Sequence, residues 1–222
     1  FERIIERGGW VIRLGDETMT KFPKMERVID YPFSKFKSDL MDIFLVKKCR
    51  FYIGCHSGTY DAANLFQKPS LLTNMWNWDV GYPLFEKSRG IIKHAYSYSE
   101  KRILTVKEMF EASWSTMFPP YAEALYGYVA EDKFKWHENS AEDIEDAAVE
   151  YMNLLDSQNF KRSELQNEAH ETHIKTYHEF CDLTQYPGMS YGDEMIEKWR
   201  FAGRIAGSNG AIGQKYLEKY WN

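Results

Sequence analysis

Across residues 1–80, short apolar runs that end in Gly, Pro or a turn residue alternate with stretches whose apolar residues recur every three or four positions. The runs at 10–14 and 27–31, closed by Gly15 and Pro32, predict strands, and those at 50–54 and 70–73 predict two more. Leu40, Met41, Phe44 and Leu45 recur at helical spacing, with Ser38 as N-cap and Lys47 and Lys48 in the last turn, which predicts a helix over 38–48. Residues 59–66 predict another. Such a β–α–β–α–β run with short connections makes a mainly parallel sheet with helices on its faces, all four strands in one sheet. Ligands of such sheets sit beyond the carboxyl ends of the strands, so function is sought just after Leu14, Gly54 and Thr73.

Past residue 83 the pattern turns helical. Helices are predicted over 105–116, 140–157, 162–183, 189–206 and 211–221, the second opened by a capping box of Ser140 and Asp143. Between the halves, residues 74–83 carry Trp76, Trp78 and Tyr82 among turn residues. The expected organisation is an α/β part over 1–83 and a mainly helical region over 84–222 packed on the same domain.

Composition narrows the class of protein. With 44% apolar and 27% charged residues the chain is globular, not disordered or collagen-like. Its longest apolar run, 43–46, falls far short of the roughly 18 residues of a membrane span. A net charge of −5 without blocks of like charge argues against a bulk electrostatic grip on nucleic acid. Three cysteines, Cys49, Cys55 and Cys181, lack C-x-x-C spacing and point to reduced thiols in a cytoplasmic setting. The chain opens at Phe1 and reads as part of something longer.

Candidate chemistry gathers at the strand ends. Ser57, Gly58 and Thr59 follow a strand and open a helix, where free N–H groups and two hydroxyls suit a diphosphate and Gly58 lets it come close. The same turn serves equally as a helix cap that binds nothing. Arg13, in Arg13-Leu14-Gly15-Asp16, offers a planar fork for phosphate oxygens, with Gly15 turning the backbone beneath it. Its alternative is a surface pair with Asp16 or Glu17. Asn74 could bond a base or sugar hydroxyl, and Trp76 or Trp78 could stack on either, though such aromatics also fit an interface core. His170-Glu171-Thr172-His173 lacks the zinc-protease spacing and reads as a solvated helix face. Neither G-x-S-x-G, a dinucleotide glycine motif, a P-loop nor Asp-x-Asp occurs. No cofactor or metal is therefore indicated.

These segments resemble the bacterial glycosyltransferases of surface-polysaccharide gene clusters whose sugar-nucleotide domain is of GT-B type. The likeness runs through Trp10-Val11-Ile12-Arg13-Leu14-Gly15-Asp16, Val28-Ile29-Asp30-Tyr31-Pro32, residues 38–45 with Asp42, Phe51-Tyr52-Ile53-Gly54, Ser57-Gly58, Lys68-Pro69 and Thr73-Asn74. It ends at Ile212-Gly213-Gln214-Lys215-Tyr216-Leu217. The Arg-x-Gly-Asp turn and the Ser-Gly helix start are also similar to parts of O-linked fucosyltransferases. The resemblance implies a Rossmann-like parallel sheet, the C-terminal half of a GT-B enzyme. Arg13, Gly15, Ser57, Gly58 and Thr59 would surround the diphosphate of a nucleotide-sugar donor, with Asn74 and Asp42 nearby. Asp16 would orient a hydroxyl or act as base. Transfer to a glycan or lipid-linked acceptor would proceed without metal, and a separate acceptor domain would precede this one. The competing readings are a non-catalytic nucleotide-binding or scaffold module and a mainly helical interaction protein that carries a vestigial α/β half.

Overall fold

The computed structural model describes residues 1–75, 82–112, 133–183 and 208–222. The chain forms two compact units, Phe1–Tyr52 with Ser57–Pro69, and Ile53–His56 with Ser70–Asn222. The predicted 189–206 helix, residues 113–116 of the 105–116 helix, and Trp76 and Trp78 lie outside the described residues.

The first unit contains α1 (Glu2–Glu6), β1 (Val11–Arg13), β2 (Val28–Asp30), a 3-10 turn at Tyr31–Phe33, α2 (Asp39–Lys48) and α3 (Gly58–Leu65). β1 and β2 pair in parallel, Ile12 opposite Ile29 and Arg13 opposite Asp30, in a two-stranded sheet of their own. The expectation that all four early strands share one sheet is thereby corrected. Two three-residue strands carry too few ladder bonds for sequence periodicity to say which edge they join. Ser38 caps α2 by accepting from the Met41 N–H at 3.2 Å, as its position predicts. The face of α2 is another matter. Val46 is its buried residue, whereas Leu40 is 80% exposed and Phe44 49% exposed. Within this unit α2 packs on α3, and of the predicted apolar stripe Met41 and Leu45 are half-buried while Leu40 and Phe44 are exposed.

The second unit is built on a four-stranded sheet in the order β3–β4–β5–β9, where β3 is Tyr52–Gly54, β4 Ser70–Met75, β5 Arg89–Ile92 and β9 Ala211–Ile212. β4 and β5 pair in parallel, as do β5 and β9. Leu71, Leu72, Met75, Ile91, Ile92 and Ile212 are wholly buried along it, as expected of a sheet covered on both faces. A second, antiparallel sheet has the order β7–β6–β8, from Arg102–Ile103, His94–Ser97 and Phe134–His137. Four helices belong to the described part of this unit: α4 (Val106–Ala112), α5 (Ala141–Ser157), α6 (Glu164–Leu183) and α7 (Gln214–Tyr220). α5 packs on β4 and β5, α6 on α4 and β9, and α7 on α5 and α6. The capping box of Ser140 and Asp143 opens α5.

The molecule is thus a mixed α/β protein with a parallel four-stranded sheet flanked by helices. Residues 84–222 are less helical than predicted, because β5 to β9 lie there. Strands of two to four residues are too short for a period to show, and the helix predicted over 211–221 begins instead as β9 before turning at Gly213.

Candidate functional site

The candidate site is the start of α3. Ser57 is extended and caps the helix, its hydroxyl accepting from the Tyr60 N–H at 3.4 Å. Thr59 lies 2.9 Å from Ser57, Oγ1 to Oγ, and the Tyr52 hydroxyl reaches Thr59 at 3.0 Å and Ser57 at 3.4 Å. Three hydroxyls therefore meet where the helix N–H groups and dipole present positive potential. A Cβ added to Gly58 would meet nothing within 4 Å, so the space beside Gly58 is open. Asp61 supplies the acidic residue of the first turn and is exposed. Tyr52 was not singled out from sequence; a strand tyrosine reads as apolar there, and only its distance to Thr59 shows that the polar tip belongs to this cluster.

A comparable strand–glycine–helix junction, β9–Gly213–α7, is already satisfied from within. The Glu150 carboxylate accepts from the N–H groups of Gln214 and Lys215, each at 2.8 Å, and so occupies the position an anion would take. At α3 the cap is made of neutral hydroxyls, and the one carboxylate of the first turn, Asp61, is exposed.

Other predicted residues are placed differently. Arg13 donates to Asp30 Oδ1 at 2.5 Å and to the Thr20 carbonyl at 3.0 Å, with 16% of its side chain exposed. It forms an ion pair, as the alternative reading held, but with its cross-strand neighbour rather than Asp16 or Glu17. Because β1 lies outside the four-stranded sheet, Arg13 does not share a sheet edge with Ser57. Gly15 has a φ of 144°, a backbone state that L side chains rarely adopt, and Met19 fills the space where a Cβ would sit. Asp16 accepts from the Thr18 N–H at 2.9 Å and the Thr18 hydroxyl at 2.6 Å. Those bonds hold its carboxyl below the usual carboxylate range, and a base so engaged is weakened. Asp42 pairs with Lys37. The Lys37 ammonium is pushed up by that carboxylate.

Asn74 ends β4 with a φ of 52° and forms a reciprocal clamp with Asn139, each backbone N–H donating to the other's side-chain oxygen at 2.6 Å. Asn139 also donates through Nδ2 to the Ile92 carbonyl at 2.6 Å. Nearby, buried Asp143 accepts from Lys219 at 2.8 Å, Tyr220 at 2.9 Å and the Ser140 hydroxyl at 2.7 Å, and lies 3.6 Å from His94 Nε2. Burial alone would raise its pKa, but the bonds from Lys219, Ser140 and Tyr220 outweigh that and hold it at about 2. This network joins β6, α5 and α7 and, beyond the Ser140–Asp143 capping box, was not visible in sequence, since Tyr220 lies 77 residues from Asp143.

His170 and His173 are buried, not on a solvated face. Tyr82 lies 5.3 Å from each ring, and Phe110 lies 5.0 Å from His173. Among the described residues no group of three His, Cys, Asp or Glu is placed to hold a metal ion, and no helix is long and apolar enough to cross a membrane. Neither family models, curated proteins nor solved structures match the chain.

Proposed function

We propose that this chain is the donor-binding portion of a glycosyltransferase of GT-B type, with a Rossmann-like sheet, a cytoplasmic setting and no requirement for metal in donor binding. The observation that carries the proposal is the hydroxyl-lined start of α3, where Ser57, Thr59 and Tyr52 meet beside Gly58, next to which the space is open. The N–H groups and dipole of α3 would hold the diphosphate of a nucleotide sugar and stabilise it as a leaving group. The acceptor, a glycan or lipid-linked sugar, and the catalytic base would come from a facing domain.

Calorimetry with nucleoside diphosphates and their sugars, in chelator, tests this reading. Binding is expected and Gly58→Ala should weaken it by about one to two orders of magnitude, the equivalent of one charge-assisted hydrogen bond of roughly 1.5–3 kcal/mol. The fold should not suffer, because alanine meets no neighbour there and favours the helix. Absence of binding, or equal affinity in Gly58→Ala, would overturn the site.

A second reading, a nucleotide-binding module without catalysis, is favoured by the engagement of Asp16 with Thr18. It predicts nucleotide binding with no sugar transfer even when an acceptor domain is supplied.

A further inference from the structure

We infer that the second unit holds a separate site for a phosphate-sized oxyanion, built on Arg89 and Arg162 at the amino ends of β5 and β9. Arg89 opens β5 and is 1% exposed. Its guanidinium donates from Nη1 to the carbonyls of Glu86 at 2.8 Å and Ser88 at 2.9 Å, and from Nη2 to that of Phe160 at 2.8 Å. Its buried Nε has no partner. Arg162, just before α6, donates from Nε to the Gly210 carbonyl at 2.9 Å and from Nη2 to the Ser208 carbonyl at 2.7 Å. Among the described residues its Nη1 makes no protein bond, and Arg162 lines a cleft of about 460 Å³ with Lys161, Asn167, Asn209, Phe160 and Glu86.

Carbonyls fix these two guanidiniums but neutralise neither. Among the described residues no carboxylate lies within ion-pair distance of Arg89, Arg162, Lys87 or Lys161. Glu150 attracts Arg89 while its oxygens accept from the first N–H groups of α7, so it offsets one guanidinium in part and Arg162 has no such ion pair. Glu86 lines the cleft with an exposed side chain. Partly buried positive charge in excess of its counter-charge is costly, so the arrangement calls for an anion.

The neighbouring orphaned groups point the same way. Ser88 Oγ, Ser208 Oγ and His170 Nδ1 are all buried without a hydrogen-bond partner. Ser88 adjoins Arg89, Ser208 holds Arg162, and Tyr82 packs on His170. Of these groups Arg162 lines the cleft itself, beside Lys161, and Arg89 lies over the Phe160 ring that forms part of its wall, a set of cations that favours the multiple charge of a phosphoryl group over a single carboxylate. The amino ends of β5 and β9 are the opposite ends from Ile92 and Ile212, so this is not a donor site of the usual α/β kind.

Inorganic phosphate titrated into the full chain at constant ionic strength tests the inference, read by thermal midpoint and by the arginine Nε–Hε resonances. Phosphate should raise the midpoint saturably and shift one slowly exchanging arginine resonance, while acetate does neither. Arg162→Gln should weaken phosphate binding about tenfold or more. Should that variant fail to fold, Lys161→Gln keeps the carbonyl bonds and should weaken binding several-fold. Gly58→Ala should leave the phosphate response intact, which separates this site from α3. An equal response to acetate or chloride, or undiminished phosphate binding in whichever of the Arg162 and Lys161 variants folds, would overturn the assignment.

Discussion

Arg13 sits opposite Asp30 in the β1–β2 pair, so its planar fork is occupied before any ligand arrives: one nitrogen on Asp30, another on the Thr20 carbonyl. Asp30 in turn accepts from the Phe22 N–H at 2.8 Å, which ties the connection between the strands back onto them. Arg13→Lys retains the charge but cannot bridge two acceptors from separate nitrogens, so the melting temperature should fall, and fall further in Arg13→Ala. Nucleotide affinity should change little in either. A scan of melting temperature beside a nucleotide titration checks both halves; unchanged melting with lost affinity would return Arg13 to the ligand. That Arg13 ends a strand was legible from Gly15. Its partner was not, because parallel register, rather than spacing, brings Asp30 across from a position 17 residues away.

At the scale of elements, the Asn74–Asn139 clamp ties the end of β4 to the start of α5, and Asn139 fastens β5 through Ile92. Asn139→Ala would orphan the Asn74 N–H but not the Ile92 carbonyl, which also accepts from Tyr216 at 2.7 Å. The expected loss is about 1–3 kcal/mol, the cost of one unsatisfied buried donor, measured by urea denaturation. Asn74→Gly should be milder than Asn74→Ala, because the left-handed backbone at 52° costs an alanine roughly 1–2 kcal/mol more. Local signals made some elements readable: Ser38, Ser57 and Ser140 each cap the helix they were expected to open or precede. β9, with two residues, has no period to read, and the apolar positions of α2 recur at helical spacing without saying which face its neighbour α3 will cover. The hydroxyl cluster at α3 was half legible, since Ser57 and Thr59 stand in sequence order while Tyr52 joins them through the fold.

For the whole molecule, the buried histidines set the response to acid. Burial first, then repulsion from Arg162, pushes His170 down from 6.5 to about 4, and burial also lowers His94. The unfolded chain therefore takes up protons near pH 6.5 that the folded chain refuses, so stability falls as pH drops below 6.5 and His170 stops contributing to the slope below about 4. Asp143 acts later: its folded pKa is depressed, so its contribution is intact above 3.8 and is lost as pH falls towards about 2. Chemical denaturation at successive pH values should show loss beginning near 6, with His170 responsible for at most about 3 kcal/mol by the free-energy equivalent of its shift. His170→Leu should flatten the limb between 6.5 and 4 while leaving the Asp143 limb in place. Phosphate bound beside Arg162 would offset the repulsion that helps keep His170 neutral, so saturating phosphate should shallow the same limb in the wild type and do nothing to its slope in His170→Leu. Stability that stays level from pH 7 to 5 in the wild type would contradict the assignment of His170 as a buried neutral group.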